Sequence, residues 1–132
     1  MLNYLFNLPS FILRKYKSKK ISFSLTSIDL LVSYIFKNQK KGYYIDVGCN
    51  HPVFSNNTYL LYKKGWRGIN IDLDKKCVDL FNTFRKKDFN LEAAVSDNFE
   101  EVDLFFYQDK SAINTINKKI VSFQKQKPKK IK

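Results

Sequence analysis

The sequence predicts a single α/β domain with a mostly parallel β-sheet. Short apolar segments rich in β-branched and aromatic residues alternate with segments of helical periodicity, an order typical of parallel strands joined by helical crossovers. All four glycines lie between positions 42 and 68, where tight turns between such elements are expected. The length of 132 residues and the hydrophobic content of 44% suit one globular domain.

Seven elements are predicted along the chain. Helices are indicated where apolar residues recur every three or four positions, and buried strands where a short apolar run stops at glycine or turn residues. The first helix has Thr26 or Ser27 as a suitable N-cap, and the second ends at Gly65, a residue that favours helix C-termini. In chain order, the elements are a helix over 27–36, a strand over 43–48, a helix over 56–64, a strand over 68–72, a helix over 75–87 and strands over 90–95 and 102–107.

This order describes the first half of a doubly wound, Rossmann-like domain with right-handed crossovers. The link between the third and fourth strands is too short for a helical crossover, which takes about ten residues or more. A loop crossing and an antiparallel hairpin both remain open for that link. We expect the sheet to stop after about four strands, as a truncated form of the fold.

The excess positive charge lies in the two flanks of the chain. The net charge of +12 divides into +7 over residues 1–41, −2 over 42–115 and +7 over 116–132. A nucleic-acid-binding core would carry its basic residues on the folded face, so we expect no nucleic-acid partner. We therefore divide the chain into an N-terminal basic segment and helix (1–41), a core (42–117) and a basic C-terminal tail (118–132).

The basic flanks are also suited to a membrane surface. No apolar run reaches the ~18–20 residues that span a bilayer. The apolar segment 2–13 lacks the preceding basic residue and the following cleavage site of a secretory signal. Followed by the basic run 14–20, it is suited to lying on an anionic membrane. We expect a cytoplasmic protein, with peripheral contact to the inner face of the membrane as an open alternative.

The composition also excludes two kinds of structural site. Cys49 and Cys77 lie 28 positions apart, and His51 is the single histidine. Neither the ligand spacing of a zinc site nor the cysteine density of a disulfide scaffold is available. We expect no metal.

A candidate site lies at the carboxyl ends of the first two predicted strands, where open α/β sheets bind ligands. Gly48 lets the backbone approach a ligand, and Asp46 is placed to orient the loop or to accept a hydrogen bond. Asp72 closes the second strand, where an acid binds both hydroxyls of a ribose. Asp74 is its rival for that role, and helix capping or a solvated position in the loop is the structural alternative for Asp72. Because neither a glycine-rich diphosphate motif nor a P-loop is present, the pattern indicates a nucleoside site without phosphate contacts.

Four blocks of sequence carry a family resemblance. They read YYIDVGCNHP (43–52), NTYLLYKKGWRGINID (57–72), NLEAAVSD (90–97) and AINT (112–115). Together they resemble the FkbM-type methyltransferases, which use S-adenosylmethionine. The resemblance implies a Rossmann-like methyltransferase fold and methyl transfer to a hydroxyl, commonly on a sugar or a secondary metabolite.

The resemblance also implies roles for particular residues. Asp46 and Gly48 match the cofactor loop of that family, and Asn50 lies in the same loop as a further candidate contact. Asp72 matches the acid that binds the ribose. Glu92 opens the segment that borders the adenine.

His51 is the candidate general base, because methylation of an unactivated hydroxyl needs one and this is the histidine of the cofactor loop. A loop histidine that caps or packs is the alternative.

Two functions of different kinds are therefore considered. The leading hypothesis is an S-adenosylmethionine-dependent methyltransferase acting on a hydroxyl of a sugar, glycan or secondary metabolite, with a small-molecule or glycan acceptor as its partner. The alternative is a truncated, catalytically inactive methyltransferase-like module for binding or interaction. An unfinished sheet edge also leaves open a homodimer, with the strand 104–107 as its seam.

Overall fold

The structure is a computed structural model and describes residues 20–97, 103–111, 114–121 and 129–131. Helices and strands alternate over its first part, as the periodicity of the sequence predicts. The elements are α1 (Ile28–Ile35), β1 (Tyr43–Val47), α2 (Tyr59–Lys63), β2 (Arg67–Asp72), α3 (Lys75–Phe84), β3 (Phe89–Glu92), β4 (Leu104–Phe106), α4 (Lys118–Val121) and β5 (Lys129–Ile131). No helix of these ranges is long and apolar enough to cross a membrane.

The first three strands form a parallel sheet in the order β1–β2–β3. Its register sets Ile45 opposite Ile69 and Ile69 opposite Phe89. The prediction of an α/β domain with a parallel sheet is confirmed, and the arrangement is compatible with a Rossmann-like fold. Each predicted element from the first helix to the third strand is present, although β3 begins one residue early and ends at Glu92 rather than residue 95.

The fourth predicted strand lies in a separate sheet. β4 pairs antiparallel with β5, with Phe105 opposite Lys130. Neither interpretation of the link after the third strand is therefore observed, because β4 is not paired with β3. The strand β5 and the helix α4 lie within 118–132, which the sequence indicates only as a basic tail.

The backbone of β4 is occupied on both sides at Phe105. In addition to its pairing with β5, Phe105 exchanges two backbone hydrogen bonds with Thr115, at 2.8 and 3.2 Å. Pairing within the chain thus uses the edge that the sequence offers as a dimer seam. An edge strand has unpaired backbone groups that can pair with another strand. The partner β5 lies more than twenty residues further along the chain, so local sequence pattern does not predict the pairing of β4 with β5.

The sheet is covered on one face only by the described helices. Side chains alternate along a strand, so Tyr44 faces α2 while Tyr43 and Ile45 face the opposite side. Tyr44 packs with Leu61 and Trp66 in the main apolar cluster. By contrast, the side chains of Tyr43 and Ile45 are 87% and 68% exposed. The prediction that β1 is a buried strand is therefore right for one face and wrong for the other.

Helix α1 does not bury the apolar stripe that predicts it. Val32 packs against the apolar cluster, but Leu31 and Ile35 are exposed. The fully buried residue is Asp29, whose carboxylate accepts hydrogen bonds from Ser22 Oγ at 2.6 Å and from the Phe23 amide at 2.7 Å. These bonds orient the helix with Asp29 inward, which leaves part of the predicted face in solvent.

The predicted caps of the first two helices differ in outcome. Ser27 precedes α1 in a left-handed conformation with φ 58° and forms no side-chain capping bond. Ser27 therefore occupies the predicted N-cap position, and its carbonyl oxygen accepts from the Leu30 amide at 3.1 Å, but its side chain does not cap the helix. Gly65 ends α2 as predicted: its φ is 96°, its amide donates to Tyr62 O, and the Trp66 amide donates to Leu61 O. This bond pair is the Schellman motif, which requires a residue tolerant of positive φ.

Gly68 allows β1 and β2 to approach closely on the helix-covered face. A Cβ atom at Gly68 would overlap the ring and the carbonyl oxygen of Tyr44. We expect Gly68→Ala to lower the free energy of unfolding by about 1–3 kcal/mol, because the ring must leave its position in the cluster. Urea denaturation measures the change, with exposed Lys86→Ala as the control. An unchanged value for Gly68→Ala would show that the two strands are farther apart in solution.

Candidate functional site

A cleft of about 460 Å³ opens at the carboxyl ends of β1, β2 and β3. Ligands bind at this edge in open parallel sheets, because the loops that follow the strands converge there. The loops after β1 and β2 line one part of the cleft, and the segment after β3 lines another. Further lining residues come from the segment after β4, among them Ser111 and Asn114.

The loop after β1 is bonded closely to the end of β2. The amides of Gly48 and Cys49 both donate to Ile71 O, at 2.9 and 3.2 Å. Gly48 has φ 71°, and a Cβ atom placed on it would meet nothing within 4 Å. The backbone at Gly48 therefore faces open space at the edge of the cleft. Asn50, with φ 52°, continues this turn and also lines the cleft.

Asp72 joins the two loops that frame the cleft. Its Oδ2 accepts a hydrogen bond from the Asn50 amide at 2.8 Å, and its Oδ1 accepts one from the Asp74 amide at 2.9 Å. A carboxylate oxygen accepts more than one hydrogen bond, so both oxygens retain capacity for a ligand. Asp72 is half-buried and lines the cleft.

Asp74, the rival for the ribose role, has a different function in the structure. It is buried and caps α3, with its Oδ1 accepting from the Lys76 amide at 2.9 Å. Its Oδ2 accepts from the Lys110 amide, which attaches the turn after β4 to the start of α3. Capping, the structural alternative considered for Asp72, is therefore performed by Asp74.

Asp46 points away from the cleft and holds the far end of the β1 loop. Its Oδ2 accepts hydrogen bonds from Thr58 Oγ1 at 2.7 Å and from Asn56 Nδ2 at 3.2 Å. Asn56 also donates to Cys49 O at 3.2 Å. Asp46 thus orients the loop by accepting hydrogen bonds from within it, so both uses considered for this residue are combined.

Arg85, which is fully buried, forms hydrogen bonds to the loop between Asn50 and Thr58 from the interior of the protein. The Nε and Nη2 atoms of Arg85 both donate to Pro52 O, at 2.9 and 2.6 Å. Nη2 also donates to Asn56 Oδ1 at 2.6 Å, and Nη1 donates to Thr58 Oγ1 at 2.8 Å. One guanidinium thus bonds to three separate positions of the loop.

No described carboxylate forms an ion pair with Arg85, and its charge is balanced through intermediate hydroxyls. Thr58 Oγ1 accepts from Arg85 and donates to Asp46. The Tyr44 hydroxyl accepts from Arg85 at 3.4 Å and donates to Asp88. Burial, together with the hydrogen bond to Asp88, raises the pKa of the Tyr44 phenol, which therefore remains a donor.

Aromatic rings complete the environment of Arg85. The guanidinium carbon lies 4.9 Å from the ring centroid of Phe81, 5.3 Å from that of Tyr62 and 5.4 Å from that of Tyr59. At these distances the ring faces attract the cation, and the attraction is stronger without water. The rings thus contribute to offsetting the cost of burying the charge.

His51, the candidate base, is engaged by its own loop. Its Nδ1 accepts hydrogen bonds from the amides of Val53 at 3.1 Å and Phe54 at 3.0 Å, which assigns the proton of the neutral ring to Nε2. Burial, followed by the positive charges of Lys110 and Arg85, lowers the pKa of His51. The side chain caps a turn beside the cleft, and its role as a base stays a prediction.

Glu92 ends β3 opposite Asp72 in the register, and it is exposed. The wall of the cleft on this side is formed by the next three residues, Ala93, Ala94 and Val95. The Ala93 amide donates to Asp72 O at 3.1 Å, which keeps this segment beside the β2 loop. Small apolar side chains rather than Glu92 therefore face the cleft.

The two cysteines are structural in this arrangement. Both are buried, with Cys49 in the β1 loop and Cys77 in the first turn of α3. Burial and the nearby Asp72 carboxylate raise the pKa of the Cys49 thiol, and the same causes raise that of Cys77 to about 12. Cys77 Sγ lies 3.7 Å from Asn50 Oδ1, so it packs against the loop as a thiol.

The charge of the cleft contrasts with that of the chain. Of the described residues that line it, Asp72 alone is charged, and none is lysine or arginine. The remaining described lining residues are apolar, glycine, or neutral polar groups such as Asn50, Ser55 and Asn114. In a chain of net charge +12, this cleft is locally negative.

A scan against models of known protein families found no match, and searches of curated proteins and of solved structures found none either.

The hydrogen bonds of Arg85 to the β1 loop are expected to contribute to the free energy of unfolding. We expect Arg85→Met to lower the free energy of unfolding by about 3 kcal/mol or more, because Pro52 O loses both of its hydrogen bonds from Arg85 inside the protein and Asn56 Oδ1 and Thr58 Oγ1 each lose one. Urea denaturation measures the loss. Lys86→Met changes the adjacent, exposed residue in the same way and is expected to stay within about 0.5 kcal/mol of wild type. Equal effects of the two substitutions would contradict the network.

Proposed function

We propose that this chain binds S-adenosylmethionine in the cleft and transfers its methyl group to a hydroxyl of a sugar, glycan or secondary metabolite. The observation that carries the proposal is the charge of the cleft, where Asp72 is the one charged group among the described lining residues. A carboxylate at the end of the second strand suits a ribose. The described lining has no arginine or lysine of the kind that pairs with phosphates. S-adenosylmethionine is a nucleoside with a cationic sulfonium and no phosphate.

The parts of the cleft fit the parts of this cofactor. Its volume of about 460 Å³ lies within the range of small-molecule sites. Asp72 has acceptor capacity left for two hydroxyls, and the apolar segment from Ala93 to Val95 beside it suits a flat adenine ring. The open backbone at Gly48 lets the remaining part of the cofactor lie close to the β1 loop.

When bound, S-adenosylmethionine supplies an electrophilic methyl group. The contribution of the protein to such a displacement is mainly positioning and the exclusion of water. Asp72 orients the nucleoside and holds the two loops together, while Arg85 fixes the loop from the opposite side. The apolar residues Val47, Ile71 and Val95 keep one part of the cleft free of competing polar groups.

A second function, a binding module without catalysis, is favoured by a different observation. Apart from Asp72, whose carboxylate the proposal assigns to the ribose, the described lining contains the hydroxyls of Ser55 and Ser111 but no second carboxylate, histidine or lysine that could deprotonate an acceptor. The Nδ1 lone pair of His51 is used by two backbone amides. Cofactor binding without methyl transfer to sugar hydroxyls is the behaviour expected of this alternative.

Calorimetric titration of the full chain with S-adenosylhomocysteine tests both forms of the proposal. We expect binding by wild type and a loss of roughly 10- to 100-fold in Asp72→Asn, which removes charge-assisted hydrogen bonds to the ribose. Asp79→Asn makes the same charge change at an exposed position on α3 and is expected to bind as wild type does.

The outcomes separate the alternatives. A folded wild type that does not bind S-adenosylhomocysteine would contradict both the methyltransferase and the binding module. Equal losses in Asp72→Asn and Asp79→Asn would remove Asp72 from the site. If binding behaves as expected, incubation with radiolabelled S-adenosylmethionine and a panel of sugars and glycans distinguishes the enzyme, which transfers label, from the module, which does not.

A further inference from the structure

A second cavity lies on the outer side of the helices, where α1 and α2 meet. It has a volume of about 450 Å³ and an apolar lining that includes Ile21, Leu30 and Leu60. Three lysines also line it, Lys20, Lys37 and Lys64, and all three are exposed. None of its described lining residues is acidic. We call this feature the α1 groove.

The three lysines of the α1 groove contact two side chains of α1, Tyr34 and Ser33. The Nζ atoms of Lys37 and Lys20 lie 4.9 and 6.0 Å from the ring centroid of Tyr34. Lys64, which follows α2, donates from its Nζ to Ser33 Oγ on α1. Since no described acid pairs with these ammonium groups, their charges remain available to an anion.

An exposed apolar stripe runs along α1 beside the groove. Leu31 and Ile35 lie one helical turn apart and are 53% and 62% exposed, and Tyr34 between them is 60% exposed. Residues four apart share one face of a helix, so Leu31 and Ile35 form a continuous apolar strip. The buried Asp29 on the other side of α1 fixes this orientation.

We propose that the α1 groove and the adjoining stripe form a docking surface for an anionic lipid membrane. Such a membrane offers negative headgroups and an apolar interior within a few ångströms of each other, and a surface that pairs lysines with exposed apolar side chains is complementary to both. In the sequence, the basic run 14–20 ends at Lys20, so four further positively charged residues precede this lysine of the groove in the chain. This proposal is independent of the proposed cofactor.

Charge also argues against a second copy of the chain as the occupant. Two copies meeting through this surface would bring Lys20, Lys37 and Lys64 of each close to their counterparts. Like charges facing each other across an interface are unfavourable, so self-association is opposed at this site.

Co-sedimentation of the full chain with vesicles tests the proposal. We expect binding to vesicles of equimolar phosphatidylcholine and phosphatidylserine, little binding to pure phosphatidylcholine, and weakening with added salt. Lys20→Gln combined with Lys37→Gln is expected to reduce the partition coefficient roughly 25-fold, from about fivefold for each lysine near the surface.

A matched variant removes the same charge elsewhere. Lys86→Gln combined with Lys87→Gln alters two exposed lysines after α3 and is expected to change binding by about twofold or less, since they lie outside the surface. Leu31→Ser with Ile35→Ser is also expected to weaken binding, and Tyr43→Ser with Ile45→Ser, on the open face of the sheet, is not. Unfolding midpoints equal to that of wild type confirm that the variants are folded.

Three results would overturn the proposal. Equal losses in the two lysine pairs would show attraction by net charge alone. Failure of wild type to bind the anionic vesicles would remove the membrane as a partner. A dimer in size-exclusion chromatography that Leu31→Ser abolishes would assign the stripe to a second copy.

Discussion

The folded chain depends on burying the guanidinium of Arg85. A buried charge is costly unless every donor finds an acceptor, and here the shortest hydrogen bonds go to the β1 loop and the start of α2, with longer ones to Tyr44 and Asn70 on the strands. The guanidinium therefore fixes the path of the chain from Pro52 to Thr58. The same loop, a few residues earlier, passes through Gly48 and Asn50 at the cleft. One interaction thus sets the stability of the domain and the shape of its candidate site.

The two faces of the sheet are unequal in composition and burial. The face under the helices holds Arg85, Asn56 and Asn70 alongside a small set of apolar residues, so its order depends on complete hydrogen bonding. Asn70, fully buried in β2, donates to Asn90 at 2.8 Å and continues the network across the strands. The opposite face presents apolar side chains such as Ile45 and Phe89 to solvent. A chain of this design is sensitive to single polar substitutions in its interior.

Sequence pattern predicts local features of this molecule well. The alternation from β1 to β3, the role of Gly65 and the placement of Asp72 at a strand end all follow from spacing and residue type. Pattern does not predict that Arg85 is buried, because the run Arg85–Asp88 resembles a solvated, charged helix end. The pairing of β4 with β5 and the inward turn of Asp29 depend on contacts with distant segments. Periodicity carries no signal for contacts of that kind.

The central claim is that the loop held by Arg85 forms one edge of a nucleoside cleft. It is tested most directly by two-dimensional ¹H–¹⁵N spectra of the full chain, recorded during titration with S-adenosylhomocysteine. Binding in this cleft predicts the largest shift changes at the amides of Gly48, Asn50, Leu73 and Ala94, with Thr83 on the outer side of α3 unchanged. Changes confined to residues outside the cleft, or no changes in a folded protein, would contradict it.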